Sequence, residues 1–430
     1  MRKRLLLFMM IVLAGGFAFF PSDKEAQAKK VYTQEKPDDP AIKASFTADG
    51  KTYESDNVAD VWRRVSGKSN AVFKLYADWD IREPIEIGGS YNKLTIDLNG
   101  HRLRRITDGR SRNGCIIRIN GGELTIKDLP SSQGIGKGGV LTGGNSKNSA
   151  GGIHINGGKL IMNGGSVNGN ATDDDGGAIS IEGGGSATLV GACFNNNYAD
   201  DSGGAIYLKN GSLTAKNCVF DRNKADDNGG AIAVNSDNVK LINVIMQNNF
   251  ADDDGGALWV NDKKVYLSGG LIKYNMADYG GGVYVDSRYD INIQGKLIIQ
   301  DNHTTSNDVS NLCLQDGALS SAKIYSGGLL HGSMVGVNKT RSLSSSGYTA
   351  VVETSVFQEK TCFKADRGKL VMPKGKTEKV IYMATAIGDA KFGPLIAVAL
   401  VLLAVVTLII VSLRRKKAMS TEADGEEESL

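Results

Sequence analysis

Residues 203–234 read GGAIYLKNGSLTAKNCVFDRNKADDNGGAIAV, and this stretch decides the fold because its pattern returns about every 26 residues. Each copy carries an apolar-x-x-Asn motif, and successive asparagines lie 27, 26, 26, 26 and 27 residues apart, at Asn170, Asn197, Asn223, Asn249, Asn275 and Asn302. Between them, Gly-Gly-Ala-Ile or a close variant recurs and leads into short alternating runs such as Ile206-Tyr207-Leu208. A fixed period of this length, filled by short strands and turns, is typical of a β-solenoid.

Stacking the copies predicts which side chains lie inside the solenoid. Three strands and three turns would fill one coil, and equivalent positions would stack about 4.8 Å apart. The asparagine amides should then hydrogen-bond to one another along one turn, since each offers both a donor and an acceptor. Alternation along the strands predicts that the following residues point inward: Ile206, Phe220, Ile232, Met246 and Leu258.

The two ends of the chain indicate export and membrane anchoring. A basic start, an apolar run and an Ala-x-Ala pattern are typical of a secretory signal peptide, which predicts a mature chain beginning at Lys29. The uncharged segment Leu395–Leu413 is long enough as a helix to cross the hydrocarbon core of a membrane. The basic segment Arg414–Lys417 follows it directly and should stay in the cytoplasm.

These features divide the chain into six predicted segments. They are a signal peptide (1–28), an N-terminal linker (29–50), a parallel β-helix with an N-terminal cap (51–340), a terminal β cap and stalk (341–391), a transmembrane helix (392–413) and a cytoplasmic tail (414–430). Within the third segment, Asp56–Val65 should form a short amphipathic helix that covers the open end of the solenoid. The ectodomain would therefore be displayed at the cell surface by a single membrane span.

Composition excludes several other classes of protein. Glycine is abundant, at 54 of 430 residues, but it lacks the every-third-residue spacing of collagen. The formal net charge of +3 and the scattered basic residues give no indication of nucleic-acid binding. Five cysteines spread over an exported chain are too few for a disulfide scaffold.

The paired Gly-Gly-Ala-Ile/Leu and Phe-x-x-Asn motifs resemble the repeats of polymorphic outer membrane proteins, which are β-helical surface adhesins. The resemblance covers residues 145–302. Leu94–His101 reads LTIDLNGH and resembles segments of right-handed parallel β-helix proteins of the pectate-lyase-like superfamily. The resemblance implies an all-β, right-handed parallel β-helix in a bacterial surface protein. The motif set that marks the polygalacturonases of that superfamily is missing from this sequence.

An acidic stripe follows the asparagine column. Each of the first five asparagines leads, three residues later, to an aspartate, and in all but the fifth coil a second aspartate follows directly. Asp175 and Asp254 add a third carboxylate in two coils. Crowded carboxylates repel one another, and Ca²⁺ accepts such oxygen ligands, so the stripe is a candidate Ca²⁺ site. Aspartate before Gly-Gly is also favoured turn chemistry, which leaves both interpretations open. The candidate metal ligands are Asp173, Asp174, Asp200, Asp201, Asp226, Asp227, Asp252, Asp253 and Asp278.

A second column borders the acidic stripe. It consists of the residue predicted to point outward after each Gly-Gly motif: His154, Ser180, Tyr207, Ala233, Trp259 and Tyr284. Exposed aromatic rings beside carboxylates resemble a sugar-binding groove, because rings stack on the C–H faces of sugars and carboxylates accept hydrogen bonds from hydroxyls. The candidate glycan-binding residues are therefore His154, Tyr207, Trp259 and Tyr284. Aromatic rings also stack across strands for structural reasons alone.

Two functions stay open on this evidence. One is a membrane-anchored adhesin or glycan-binding protein, with an extracellular glycan or cell-surface ligand as partner and Ca²⁺ as the one candidate cofactor. The alternative is a polysaccharide lyase or glycoside hydrolase, for which the stripe would supply the paired carboxylates. A catalytic site is usually a local break in a repeat, whereas here the acidic feature is itself the repeat. Repetition favours binding, and no catalytic residue is predicted.

Overall fold

The computed structural model describes most of the chain between residues 39 and 384. The described ranges are 39–65, 68–88, 93–106, 114–128, 138–236, 238–261, 265–286, 289–315, 323–339, 348–354, 361–366, 369–371 and 380–384. Within these ranges the strands build a parallel β-solenoid of about nine turns, with about 26 residues per coil. The predicted all-β repeat fold is confirmed, and its handedness stays a prediction.

Strands that hydrogen-bond from coil to coil form four columns, which we call faces A to D. Face A follows the Gly-Gly motifs and contains β5 (Ile85–Ile87), β8 (Ile117–Ile119), β12 (Ile153–Asn156), β16 (Ile179–Glu182), β20 (Ile206–Lys209), β24 (Ile232–Asn235), β27 (Leu258–Val260), β30 (Val283–Val285) and β33 (Leu312–Leu314). All of these pairings are parallel, with residues of the same repeat position opposite each other.

Face B contains the longest strands. It comprises β3 (Ala71–Leu75), β6 (Lys93–Asp97), β9 (Glu123–Lys127), β13 (Lys159–Asn163), β17 (Ser186–Val190), β21 (Ser212–Lys216), β25 (Val239–Gln247), β28 (Val265–Lys273), β31 (Asp290–Ile299), β34 (Lys323–Leu329) and β36 (Tyr348–Thr354). At the C-terminal end, β38 (Lys369–Val371) and β39 (Val380–Ala384) add to this face in antiparallel orientation.

Face C follows face B in each coil. It comprises β4 (Trp79–Ile81), β7 (Arg102–Arg105), β10 (Val140–Thr142), β14 (Ser166–Asn168), β18 (Cys193–Asn195), β22 (Val219–Asp221), β35 (Met334–Lys339) and β37 (Phe363–Ala365). The second halves of β25, β28 and β31 continue the same column, because these three strands run through from face B.

Face D corrects the prediction of three strands per coil. It contains β11 (Asn145–Ser146), β15 (Ala171–Thr172), β19 (Tyr198–Ala199), β23 (Lys224–Ala225), β26 (Phe250–Ala251), β29 (Met276–Ala277) and β32 (His303–Thr304). These strands have only two residues each, so they show no alternation that a sequence pattern could reveal. Their backbone ladder is nevertheless regular, since Asp200 N donates to Thr172 O and Asp226 N donates to Ala199 O at 3.0 and 3.1 Å.

The predicted inward side chains form the core. All five of the apolar side chains predicted to point inward are fully buried: Ile206, Phe220, Ile232, Met246 and Leu258. Their coil-to-coil neighbours continue the columns, and the rings of Phe194 and Phe220 stack at 4.9 Å. The prediction of which residues face inward is therefore confirmed.

The asparagine column forms a continuous buried hydrogen-bonded ladder, as predicted. Asn197 Nδ2 donates to Asn223 Oδ1 at 3.0 Å, and Asn223 Nδ2 donates to Asn249 Oδ1 at 2.9 Å. The same bond links Asn170 to Asn197, Asn249 to Asn275, and Asn275 to Asn302. Each Nδ2 also donates to a backbone carbonyl of the preceding coil, so the buried amide groups are satisfied.

The ladder has a distinct cap at its C-terminal end. Asn302 Nδ2 donates to Asn311 Oδ1 at 3.0 Å, although only nine residues separate the two asparagines. The Asn311 side chain in turn donates to Asp366 Oδ1, and its backbone N–H donates to Asp366 Oδ2, both at 2.7 Å. An ionised carboxylate only accepts hydrogen bonds, so the ladder ends at Asp366, whereas another amide would also have donated to a further partner.

The N-terminal cap contains the predicted helix and a hairpin. Helix α1 (Val58–Val65) begins after Asn57, whose Oδ1 accepts from the backbone N–H of Ala59 at 3.0 Å. Trp62 on this helix packs against Phe73 at 5.3 Å between ring centroids. Strands β1 (Ala44–Ala48) and β2 (Lys51–Ser55) pair antiparallel, and β1 also pairs with β3. Strand β1 therefore lies inside the segment 29–50 that we expected to be a linker.

Several predicted segments lie outside the described residues. These are the signal peptide (1–28), the transmembrane helix (392–413) and the cytoplasmic tail (414–430). The one helix found in the described ranges is too short to be a membrane span.

Candidate binding surface

The acidic stripe lies in the turn between face D and face A, where the repeat predicts it. Backbone bonds stack it coil on coil, since Asp227 N donates to Asp201 O and Asp253 N donates to Asp227 O. Glycine ends this turn for a steric reason. Gly203 has a φ of +73°, and a Cβ atom there would lie 2.5 Å from the carbonyl oxygen of Ile206. The Gly-Gly motif therefore fixes how the stripe meets face A.

Several carboxylates of the stripe take part in local hydrogen bonds. Asp175 Oδ1 accepts from Ser202 N in the next coil at 2.9 Å. Asp226 accepts from Tyr198 Oη at 2.5 Å and pairs with Lys224 Nζ at 2.6 Å. Partial burial opposes ionisation of Asp226, but the bonds from Lys224 and Tyr198 outweigh it and lower its pKa. These contacts match the turn-chemistry interpretation of the stripe.

The stripe does not gather its carboxylates into a metal cage. Among the residues that the structure describes, no three His, Cys, Asp or Glu side chains come together as metal ligands. Ca²⁺ takes six to eight oxygen ligands, and the stacking instead spreads the carboxylates along the solenoid. Ca²⁺ binding by the stripe stays a prediction.

Two carboxylates of the stripe hold protons unusually tightly. Burial raises the pKa of Asp175 to about 6, and the charges of Asp174 and Asp201 add to the effect. Burial raises the pKa of Asp254 to about 7, and the neighbouring charge of Asp253 adds to it. Both occupy the third position of the stripe, next to face A. At neutral pH this edge can therefore donate as well as accept hydrogen bonds.

The outward column of face A is less exposed than the sequence suggested. The register aligns His154, Ser180, Tyr207, Ala233, Trp259 and Tyr284 in one row, as predicted. Tyr284, however, is only 3% exposed, so its ring is not available for stacking. It borders the acidic turn, where burial and the charge of Asp254 raise its pKa. The expectation of an exposed ring at this position is wrong.

The other predicted glycan-binding residues of this row keep some access to solvent. Tyr207 and Trp259 are half-buried, and Tyr207 hydrogen-bonds to Asp175 and Asn235. His154 Nε2 lies 3.1 Å from Glu182 Oε1. Burial lowers the pKa of His154 even though Glu182 opposes this shift. The row thus places two partly exposed rings beside acidic groups, whereas His154 contacts Glu182.

Face D carries a second outward row that the sequence analysis missed. It consists of the residue directly after each asparagine of the ladder: Ala171, Tyr198, Lys224, Phe250, Met276 and His303. The Lys224 ammonium lies 5.6 Å from the ring centroids of both Tyr198 and Phe250. Met276 is exposed. This row could have been found from its fixed position, one residue after each asparagine of the ladder, although the residue type at that position varies.

The face D row and the acidic stripe form one surface. Asp200, Asp226 and Asp252 lie two residues after Tyr198, Lys224 and Phe250, so the carboxylates run parallel to the row of rings. Tyr198 Oη and Lys224 Nζ both contact Asp226, which ties the two rows together. We call this combination the face D surface. Its carboxylates recur from coil to coil, and the row beside them holds two aromatic rings, Tyr198 and Phe250, on either side of one cation, Lys224.

Comparison with known proteins identifies the repeat itself. Residues 191–209 and 217–235 each match the Chlamydia polymorphic membrane protein repeat. Each match contains one asparagine of the ladder and one Gly-Gly motif. No curated protein and no solved structure gives a significant match to the chain. The chain therefore carries polymorphic membrane protein repeats, built into a parallel β-solenoid of about 26 residues per turn.

Proposed function

We propose that this chain is a surface-displayed binding protein whose solenoid binds extracellular glycans through repeated rows of outward side chains. The observation that carries the proposal is the repetition of these rows in a chain with polymorphic membrane protein repeats. A row of equivalent contacts spaced by about 4.8 Å suits a polymeric ligand, which can bind along the solenoid. Several weak contacts on one polymer add up to a useful affinity.

The face D surface is the main candidate contact. Tyr198 and Phe250 present aromatic rings, and Asp200 and Asp252 lie beside them. Rings stack on the apolar faces of sugars while carboxylates accept from their hydroxyls, so this composition suits neutral polysaccharides. Repelling carboxylates disfavour strongly acidic ones. Tyr207 and Trp259 on face A offer a second, more enclosed set of rings.

Display at the surface follows from the predicted signal peptide and transmembrane helix. Export and a single C-terminal span would place the solenoid outside the membrane, where it meets glycans of the environment or of another cell. The match to a membrane protein repeat supports this placement.

A second candidate function rests on Asp254. Its pKa of about 7 would let it act as a general acid near neutral pH, as glycoside hydrolysis requires. The same position holds Asp175 with a pKa of about 6, and repetition of the feature favours structure over catalysis. An enzyme would release new reducing ends or unsaturated products, which a binding protein would not.

The test measures retention and turnover together. The full-length chain in detergent is incubated with neutral and acidic polysaccharides, with and without Ca²⁺, and both bound sugar and new chain ends are measured. We expect retention of neutral polysaccharide without new ends. Tyr198→Ala and Phe250→Ala should each weaken retention about fivefold or more, as truncation of an interface anchor does.

The control for these variants is Tyr266→Ala, which removes a ring that is 41% exposed on face B. It should bind as the wild type does. Retention of no polysaccharide would contradict the proposal, and so would equal losses in all three variants. Release of new ends would establish the enzymatic alternative instead.

A further inference from the structure

The repeat breaks immediately after β32, at the C-terminal end of face D. A tight loop replaces the Asp-Asp-Gly-Gly turn of the earlier coils, with Thr304 N donating to Asp308 O at 2.7 Å and Asn307 N donating to Thr304 O at 2.8 Å. The loop leads directly to Asn311, the last asparagine of the ladder. The acidic stripe therefore ends here, at a loop that the described turns of the preceding coils do not reproduce.

A cavity of about 260 Å³ opens at this break. Its lining includes Asp278 and Tyr279 from the stripe, Thr305 and Ser310 from the loop, and Asn338 and Lys339 from β35. Ser310 Oγ accepts from Gly280 N at 3.1 Å and lies 3.2 Å from Asn338 Nδ2. The cavity is thus built from three separate parts of the chain held together by hydrogen bonds.

Asn338 carries the observation that points to a ligand. Asn338 lines the cavity and is 6% exposed, and its buried Oδ1 has no hydrogen-bond partner among the described residues. A buried acceptor without a partner costs free energy, and most such groups in folded proteins are satisfied. If the amide turns towards the cavity, a ligand hydroxyl or amide can supply the missing donor.

The chemistry of the lining selects the class of ligand. Hydroxyl, amide and carboxylate groups surround the cavity, and the ring of Tyr279, which is 52% exposed, lies at its rim. This combination suits a polyhydroxylated ring, with hydroxyls inside and one apolar face on the tyrosine. Two carboxylates, Asp278 and Asp308, face one ammonium group from Lys339, so a negatively charged sugar is disfavoured. The volume lies just below that of pockets for drug-sized ligands, which begin at about 300 Å³.

We propose that this cavity, which we call the terminal cavity, binds a single neutral sugar ring at the end of a glycan chain. This inference rests on the proposed glycan-binding function and adds an end-specific site to it. The face D surface would bind the length of the polymer, and the terminal cavity would bind its last residue. Asn338 Oδ1 accepts from a sugar hydroxyl, and Tyr279 packs against the ring.

The experiment titrates the full-length chain with methyl glycosides of glucose, galactose, mannose and N-acetylglucosamine, and with methyl glucuronide as the charged counterpart, by ligand-observed NMR. We expect saturable binding of at least one neutral glycoside and weaker binding of the glucuronide. Tyr279→Ala and Asn338→Leu should each weaken the neutral glycoside about three- to tenfold, as expected for the loss of one contact. Tyr266→Ala should leave it unchanged.

The results separate this inference from the proposed function. Absence of saturable binding by every neutral glycoside would overturn the terminal cavity, as would binding that Tyr279→Ala leaves unchanged. Tighter binding of the glucuronide would overturn the neutral-sugar assignment. Tyr279 is exposed, so its variant tests the cavity even if Asn338→Leu does not fold. Retention of polysaccharide by face D in that case would leave the proposed function standing.

Discussion

At the scale of single residues, the asparagine ladder shows why one side chain recurs at one position. An amide donates through Nδ2 and accepts through Oδ1, so identical amides can bond along the stack without a change of partner type. Asn223 Oδ1 accepts from both N and Nδ2 of Asn197, and its Nδ2 donates to Asn249 Oδ1 and Phe194 O. No other neutral side chain of this length offers both functions in this geometry.

Replacing Asn223 by alanine should therefore be strongly destabilising. The change strands buried partners on both neighbouring coils, and each unsatisfied buried group costs about 1–3 kcal/mol. We expect the free energy of unfolding to fall by about 3 kcal/mol or more in urea titrations. Asn195→Ala, in the outward position two residues before Asn197 in the preceding coil, should cost much less. A loss below about 1 kcal/mol for Asn223→Ala would contradict the role of the ladder.

The raised pKa of Asp254 predicts how stability depends on pH. The folded chain keeps a proton up to a pKa of about 7, whereas the unfolded chain releases it near the usual value of 3.8. Stability from this group is therefore complete below about pH 4 and is lost as the pH rises through 7. Asp254→Asn should remove this loss, which is on the order of 4 kcal/mol for a shift of about 3 pKa units at about 1.4 kcal/mol per unit.

Urea unfolding at pH 4.5 and pH 7.5 measures the effect. The difference between the two pH values should shrink in Asp254→Asn and stay as in the wild type for the exposed Asp56→Asn. The comparison between variants is needed because His154, whose pKa is lowered, acts in the opposite direction. A wild-type profile for Asp254→Asn would show that this carboxyl is not the group that titrates.

At the scale of the elements, a short fixed period made most of the solenoid predictable. Once the copies stack, the alternation around Ile206 and Phe220 fixes which side chains are buried, and the asparagine column follows from the same register. Face D could not be predicted, because a two-residue strand such as Tyr198–Ala199 has no alternation. Its outward row was missed for the same reason.

Other parts of the candidate site depend on contacts that the period does not encode. Tyr284 occupies the predicted row, but the neighbouring acidic turn encloses it, and its burial depends on tertiary packing. The terminal cavity forms where Asn338 from a later strand meets the loop at Ser310. This contact does not occur at a position of the repeat, so it could not be predicted from the repeat pattern.

Core substitution tests the stacking of coils. Phe220→Ala should lower the free energy of unfolding by about 3–5 kcal/mol, because it leaves a cavity beside the stacked ring of Phe194. Tyr266→Ala removes a similar volume from the exposed surface of face B and should cost far less. Denaturant unfolding of both variants provides the comparison, and equal losses would mean that the assignment of inward and outward positions is wrong.

The acidic stripe also belongs to this scale, because it acts as a column. Its carboxylates are spread along the solenoid with local partners such as Ser202 and Lys224. We expect the melting temperature to respond alike to Ca²⁺ and to Na⁺ at matched ionic strength, through screening of repulsion. Replacing Asp200 and Asp252 by asparagine should leave the melting temperature unchanged or raise it. A higher melting temperature in millimolar Ca²⁺ alone, lost in that variant, would establish metal binding instead.

At the scale of the whole molecule, the proposed glycan-binding function accounts for three features that the stability of the solenoid alone would not require together. The repeats stack rows of rings and carboxylates on the outside, the core and the ladder hold these rows in register, and the predicted anchor would present them outside a membrane. A solenoid built only for rigidity would require the inner columns but not the row of Tyr198, Lys224 and Phe250. Display and binding account for both the inside and the outside of the coils.

The most direct test uses cells that express the full-length chain and a fluorescent neutral polysaccharide, with cell fluorescence read before and after external protease. We expect wild-type cells to bind the polysaccharide and to lose it after proteolysis, since the solenoid would lie outside the membrane. Cells that carry Tyr198→Ala with Phe250→Ala should bind little, and Tyr266→Ala cells should match the wild type. Absence of binding by wild-type cells, or binding that survives both proteolysis and the double substitution, would contradict the account.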